Sequence, residues 1–216
     1  MAQDEVRELE TQYRRRLDTV IGCIAASGDG LPLTSEIQRD GLPSRPNAGV
    51  AGHLKGPGAS NLPANLDSPG RECSEIYKLI ADLEISRLRK LAAQKKSTDE
   101  GVAAQRQILR IFLHTFEAGS QLLERRTYAR AALCFEIAAQ AAPNDPYILY
   151  SLARVLALNN QKERALQTLE MAADKGFNNS DQLEGDRAFE GLRENSGYKT
   201  TLAKMRGAKP QTQVAP

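Results

Sequence analysis

Residues 111–145 read IFLHTFEAGSQLLERRTYARAALCFEIAAQAAPND, and residues 145–179 read DPYILYSLARVLALNNQKERALQTLEMAADKGFNN. Laid on each other at a shift of 34 residues, the two stretches agree at Leu122/Leu156, Arg130/Arg164, Ala131/Ala165, Glu136/Glu170, Ala138/Ala172, Ala139/Ala173 and Asn144/Asn178. Phe116 also meets Tyr150, Gly119 meets Ala153 and Phe135 meets Leu169. Two helices of one hairpin approach closely only where small residues stand at the crossing. Gly119 and Ala131 fill that role in the first unit, Ala153 and Ala165 in the second. Phe135 and Leu169 then fill the space between units, and Ala138 and Ala172 admit the next helix. Pro143 closes the first unit, where its missing N–H is harmless. A period of two helices in 34 residues marks a stack of helical hairpins, in which no unit buries its apolar face alone.

The first unit, 112–145, resembles a tetratricopeptide repeat closely, and the second, 146–179, resembles one well. Thr115 and Leu149 depart from the aromatic usual at the fourth position, and Phe177 replaces the closing proline of the second unit. The resemblance covers roughly a third of the chain. It implies an all-α fold of antiparallel helical hairpins stacked as a short α-solenoid.

Outward from the repeats, 180–207 loses the register but carries Leu183, Phe189, Leu192, Tyr198 and Leu202. These suit short capping helices over the exposed end of the second hairpin, and the Leu-Glu-x-Asp-x-x-Phe-x-x-Leu run resembles the terminal segment of bacterial tetratricopeptide arrays. Residues 73–111 are expected to supply the other neighbour. Ile76, Leu79, Ile80, Leu83 and Leu88 predict one helix over 74–98 with Ser74 as N-cap, and 97–101 reads as a break and a fresh helix start. Residues 1–26 carry an amphipathic helix, with Val6, Leu9, Tyr13, Leu17, Val20, Ile21 and Ile24 on one face. That face must dock on the chain or on another molecule. Residues 27–72 hold eight of the 16 glycines and six of the 10 prolines and show no apolar period, so a disordered linker is expected there. The tail 208–216 is expected to be disordered as well.

Composition agrees with a helical protein. Aromatics are only 5% of residues, too few for a typical sandwich or barrel. A formal charge of +2 is too small to steer the molecule toward nucleic acid or an anionic membrane. Cys23, Cys73 and Cys134 are spaced unlike metal ligands, and all three are expected to be free thiols. The longest apolar stretch, Val20 to Ala26, falls far short of a membrane span, and the acidic start is unlike a secretory signal. The cytoplasm is the expected compartment.

Catalytic patterns are not apparent. His53 and His114 lack patterned Asp, Glu or Cys partners, and the glycine-rich run around Lys55 lacks the order of a phosphate cradle. Neither a cofactor nor a metal is expected. The Arg14–Arg16 run and the basic end read as solvated charge.

The family resemblance implies a concave groove lined by the first helix of each hairpin. Leu113, Phe116, Ser120 and Leu123 fall on it from the first unit. Tyr147, Tyr150, Arg154 and Ala157 fall on it from the second. Aromatics beside an arginine are typical of binding hot spots, so a non-enzymatic adaptor that holds a peptide or helix is the expected function. Capture of C-terminal carboxylates in the manner of chaperone-binding relatives is not expected, because Phe116, Ser120 and Tyr150 occupy the places of the polar clamp and only Arg154 is basic. Alternatives are self-association, with a homo-oligomer formed through the 4–26 helix, or the accessory C-terminal region of a larger enzyme.

Overall fold

The computed structural model describes residues 3–27 and 76–207. The expected linker, apart from Ser27, and the expected tail lie outside the described residues, as do Ser74 and His53. The described chain is all-α, with no strand among the described residues. In order it forms α1 (Gln3–Ala26), α2 (Ile76–Ala81), α3 (Ile85–Gln94), α4 (Asp99–Glu124), α5 (Tyr128–Ala141), α6 (Pro146–Leu158), α7 (Lys162–Asp174) and α8 (Ser180–Gly185). A 3-10 turn, Arg187–Leu192, and α9 (Ser196–Met205) complete it.

The two central hairpins, α4–α5 and α6–α7, repeat each other at the level of the backbone. Each turns through a left-handed residue, Arg126 (φ 59°) and Asn160 (φ 57°), spaced by the repeat length. The next N–H closes the turn in both: Thr127 donates to Leu122 O at 3.0 Å and Gln161 to Leu156 O at 2.9 Å. Small residues stand where the helices cross. Ala131, Ala153 and Ala165 are fully buried, and a Cβ on Gly119 would press on the Phe135 ring at 3.1 Å. Phe135 and Leu169 are buried in the core between layers. Burying such a side chain contributes about 1.5–3 kcal/mol.

The helix starts follow local chemistry. Thr98 accepts the Gly101 N–H at 3.2 Å, and Asp99 and Glu100 complement the positive end of α4. Residue 101 must be glycine, because a Cβ there would collide with the Lys95 carbonyl oxygen. Asp145 accepts from both Tyr147 N and Ile148 N, with Pro146 in the first turn of α6.

On the N-terminal side, the structure corrects one expectation. The helix predicted over 74–98 is two, α2 and α3, broken at Asp82–Glu84, where Glu84 takes φ 47°. The break drives Leu83 into the core, fully buried. α1 lies against α2, α4 and α5 with Leu17, Val20 and Ile24 buried, so from Leu17 onward its apolar face is covered by its own chain. Arg14, Arg15 and Arg16 are exposed. The 111/112 boundary also falls inside a continuous helix, since α4 runs through it.

At the C-terminal end, Leu183, Phe189, Leu192 and Tyr198 are buried, the 3-10 turn packs on α6 and α9 packs on α7. Among the described residues of the basic end, Lys204 pairs with Asp174 and Arg206 with Glu184. Cys134 is a free, buried thiol, as expected, but Cys23 is disulfide-bonded, against expectation. An odd cysteine count weighs against a framework of bridges but does not forbid a single one. Among the described residues no helix is long and apolar enough to cross a membrane.

Candidate functional site

The expected groove residues separate into three groups. Leu113 and Phe116 stand out from α4, 52% and 38% exposed, with Ser120 on the same row. Leu109, one turn earlier and 57% exposed, extends the row. The spacing of 109, 113 and 116 keeps all three on one face, opposite the buried Ile111, Thr115, Gly119 and Leu122. Phe116 is held from below. Its ring stacks on Phe112 at 6.0 Å and meets Phe135 edge-on at 5.7 Å. Arg106, Arg110 and Glu117 flank the row, and together these residues line an open depression of about 800 Å³.

On α6, Tyr147 is 67% exposed and touches Phe177 edge-on at 5.7 Å. It borders a second open depression with Ser151 and Arg154, faced by Asp181 and Arg187 of the cap. Arg154 is not a free cation. Its Nε lies 2.9 Å from Asp186 Oδ2, in ion-pair range, although the angle is too poor for a hydrogen bond.

Tyr150 is placed differently from expectation. It is buried, stacked on Phe177 at 4.3 Å and tilted against Phe189 at 5.7 Å. Its hydroxyl donates to Asp186 Oδ2 at 2.9 Å. Burial first, then the Asp186 charge, pushes its phenol well above the usual tyrosine range. The C-terminal cap covers this ring, so Tyr150 is a packing residue and presents no anchor. Leu123 and Ala157 are half-buried against the core and present little surface.

A third hollow, of about 590 Å³, lies between α1, α3 and α4 and was not foreseen. Tyr13 donates to Glu84 there at 3.3 Å, and Arg87 pairs with Glu84 at 3.1 Å. Gln107 is buried on its wall and accepts from Arg110 at 3.2 Å. On its rim Glu84 pairs with Arg87 and Glu100 with Lys95, and its residues come from segments that share no sequence motif. Among the described residues no cluster of three or more His, Cys, Asp or Glu is arranged to hold a metal.

No family model matches the chain, and neither the curated proteins nor the solved structures include a match.

Proposed function

We propose that the chain is a tetratricopeptide-like interaction module that works by binding a protein segment rather than by catalysis. The observation that carries this is the row Leu109, Leu113 and Phe116, exposed on one face of α4. Scattered apolar residues on a surface are ordinary, but a contiguous row bordered by charge has the character of a docking face. Three apolar residues over two turns match the spacing by which an amphipathic helix presents its own anchors. Tyr147 adds an exposed aromatic on the following hairpin.

The test is affinity capture with Phe116→Ala, Leu113→Ala and Tyr147→Ala, and Lys162→Ala on the outer face as control. Truncating a central anchor is expected to weaken the bound partner by about thirtyfold, close to 2 kcal/mol, at unchanged melting temperature. Retention of every partner by all three variants would exclude this face. The bridged Cys23 favours an oxidising compartment over the expected cytoplasm, where thiols are kept reduced.

A further inference from the structure

The exposed row on α4 is self-complementary. A twofold contact brings a surface against its own copy, so each residue must suit the one equally far from the axis on the other chain. Place two α4 helices antiparallel, face to face, with the axis between Leu113 and His114. Phe116 of one copy then comes level with the gap between Leu109 and Leu113 of the other, a large ring facing a hollow between two leucines. Arg110 and Glu117 are seven residues apart, two helical turns, and therefore lie on the same flank of the row. They are also equally far from this axis, so each Arg110 faces the Glu117 of the other copy. Glu117 is exposed and forms no ion pair among the described residues. Arg110 directs Nη1 to Gln107 and to the Glu10 carbonyl, and among the described residues Nη2 has no such bond.

We propose that the occupant of this face is a second copy of the same chain, joined through an antiparallel α4 pair with reciprocal Arg110–Glu117 contacts. This rests on α4 being the binding face, and it names the partner. It also differs from association through α1, whose apolar stripe is already buried in its own chain at Leu17, Val20 and Ile24. A contact of one helix per chain is smaller than a standard stable interface, so a micromolar dimer is expected.

Sedimentation equilibrium of the full chain over micromolar to millimolar concentrations tests this. Leu113→Glu is expected to weaken the dimer at least about tenfold, because it buries charge on the axis. Arg110→Glu and Glu117→Arg are each expected to weaken it about tenfold by setting like charges opposite. The double variant restores the unlike pair and should return to within a few fold of the parent. Leu113 and Glu117 are exposed, so the melting temperatures of their variants should match the parent. A single species of monomer mass throughout, or a double variant no tighter than the single ones, overturns the proposal. If the chain is monomeric while Leu113→Glu loses a different protein, the second-copy proposal is overturned and α4 still stands as a binding face. If the chain is monomeric and no partner depends on α4, both fall.

Discussion

Arg164 Nη2 donates to Glu136 Oε1 at 2.6 Å across the seam between the two hairpins, with both side chains largely withdrawn from water. Burial pushes the Glu136 carboxyl above the usual carboxylate range, and the Arg164 charge offsets only part of that rise. The equivalent arginine of the first unit, Arg130, reaches in the same direction and donates to Ala25 O at 2.8 Å, at the end of α1. One repeated arginine thus ties each hairpin to whatever lies before it, a carboxylate in one case and a helix C-terminus in the other.

Removing one partner of the buried pair strands the other. Glu136→Leu and Arg164→Met are each expected to cost about 3–5 kcal/mol in chemical denaturation. The double replacement should recover most of that loss, because apolar side chains of similar volume often substitute for a buried pair. Additive losses in the double variant would show that the two residues act separately.

Asp186 holds three things at once: the Tyr150 hydroxyl, the Ala188 N–H at the start of the 3-10 turn and the Arg154 charge. Asp186→Ala is expected to lower stability by about 2–4 kcal/mol and to raise amide exchange over 187–205 before the hairpins respond. Uniform exchange along the chain would show that the cap is not a separate layer.

The same contact sets an alkaline limit. The phenols of Tyr150, Tyr13 and Tyr198 are all raised, with burial the largest cause in each. A raised folded pKa means that the stabilisation is intact below the ordinary tyrosine value of about 10 and is lost as pH climbs through the folded value. Ultraviolet titration should therefore show part of the six tyrosines ionising late, together with unfolding. A single transition at the ordinary position, with the fold intact, would contradict this.

Cys134 is buried and its thiol is pushed up to about 12 by desolvation. It should resist alkylation in the native protein and react promptly in denaturant. Cys23, being bridged, should need reductant as well. Labelling of Cys134 at native pH without unfolding would show that α5 opens locally.

The hairpins were legible in the sequence because a 34-residue period repeats both the small crossing residues and the turns. The cap was legible as apolar content, since Leu183, Phe189, Leu192 and Tyr198 all went inside. Its contacts were not. Tyr150 aligns with the half-exposed Phe116, but only Tyr150 has a C-terminal neighbour laid over it, with Asp186 supplied from outside the repeat. Leu109 lies outside the 34-residue register because α4 is longer than a repeat helix, so the row begins before the unit does. The break at Asp82–Glu84 carries no glycine or proline to signal it; it turns at Glu84, with φ 47°, and leaves Leu83 buried.

The directionality of the repeated arginine has a consequence for how such a chain grows by gene duplication. Each unit brings the cation that wires it to its predecessor and leaves a glutamate for its successor; in the last unit this is Glu170, exposed to solvent. Duplicating 146–179 in frame would set the new arginine, at the Arg164 position, toward Glu170 at the spacing already used by Arg164 and Glu136. Tyr198, in α9 of the cap, now stands at that same distance along the chain, so a lengthened array would put an arginine where the cap now lies and shift the cap outward by one hairpin.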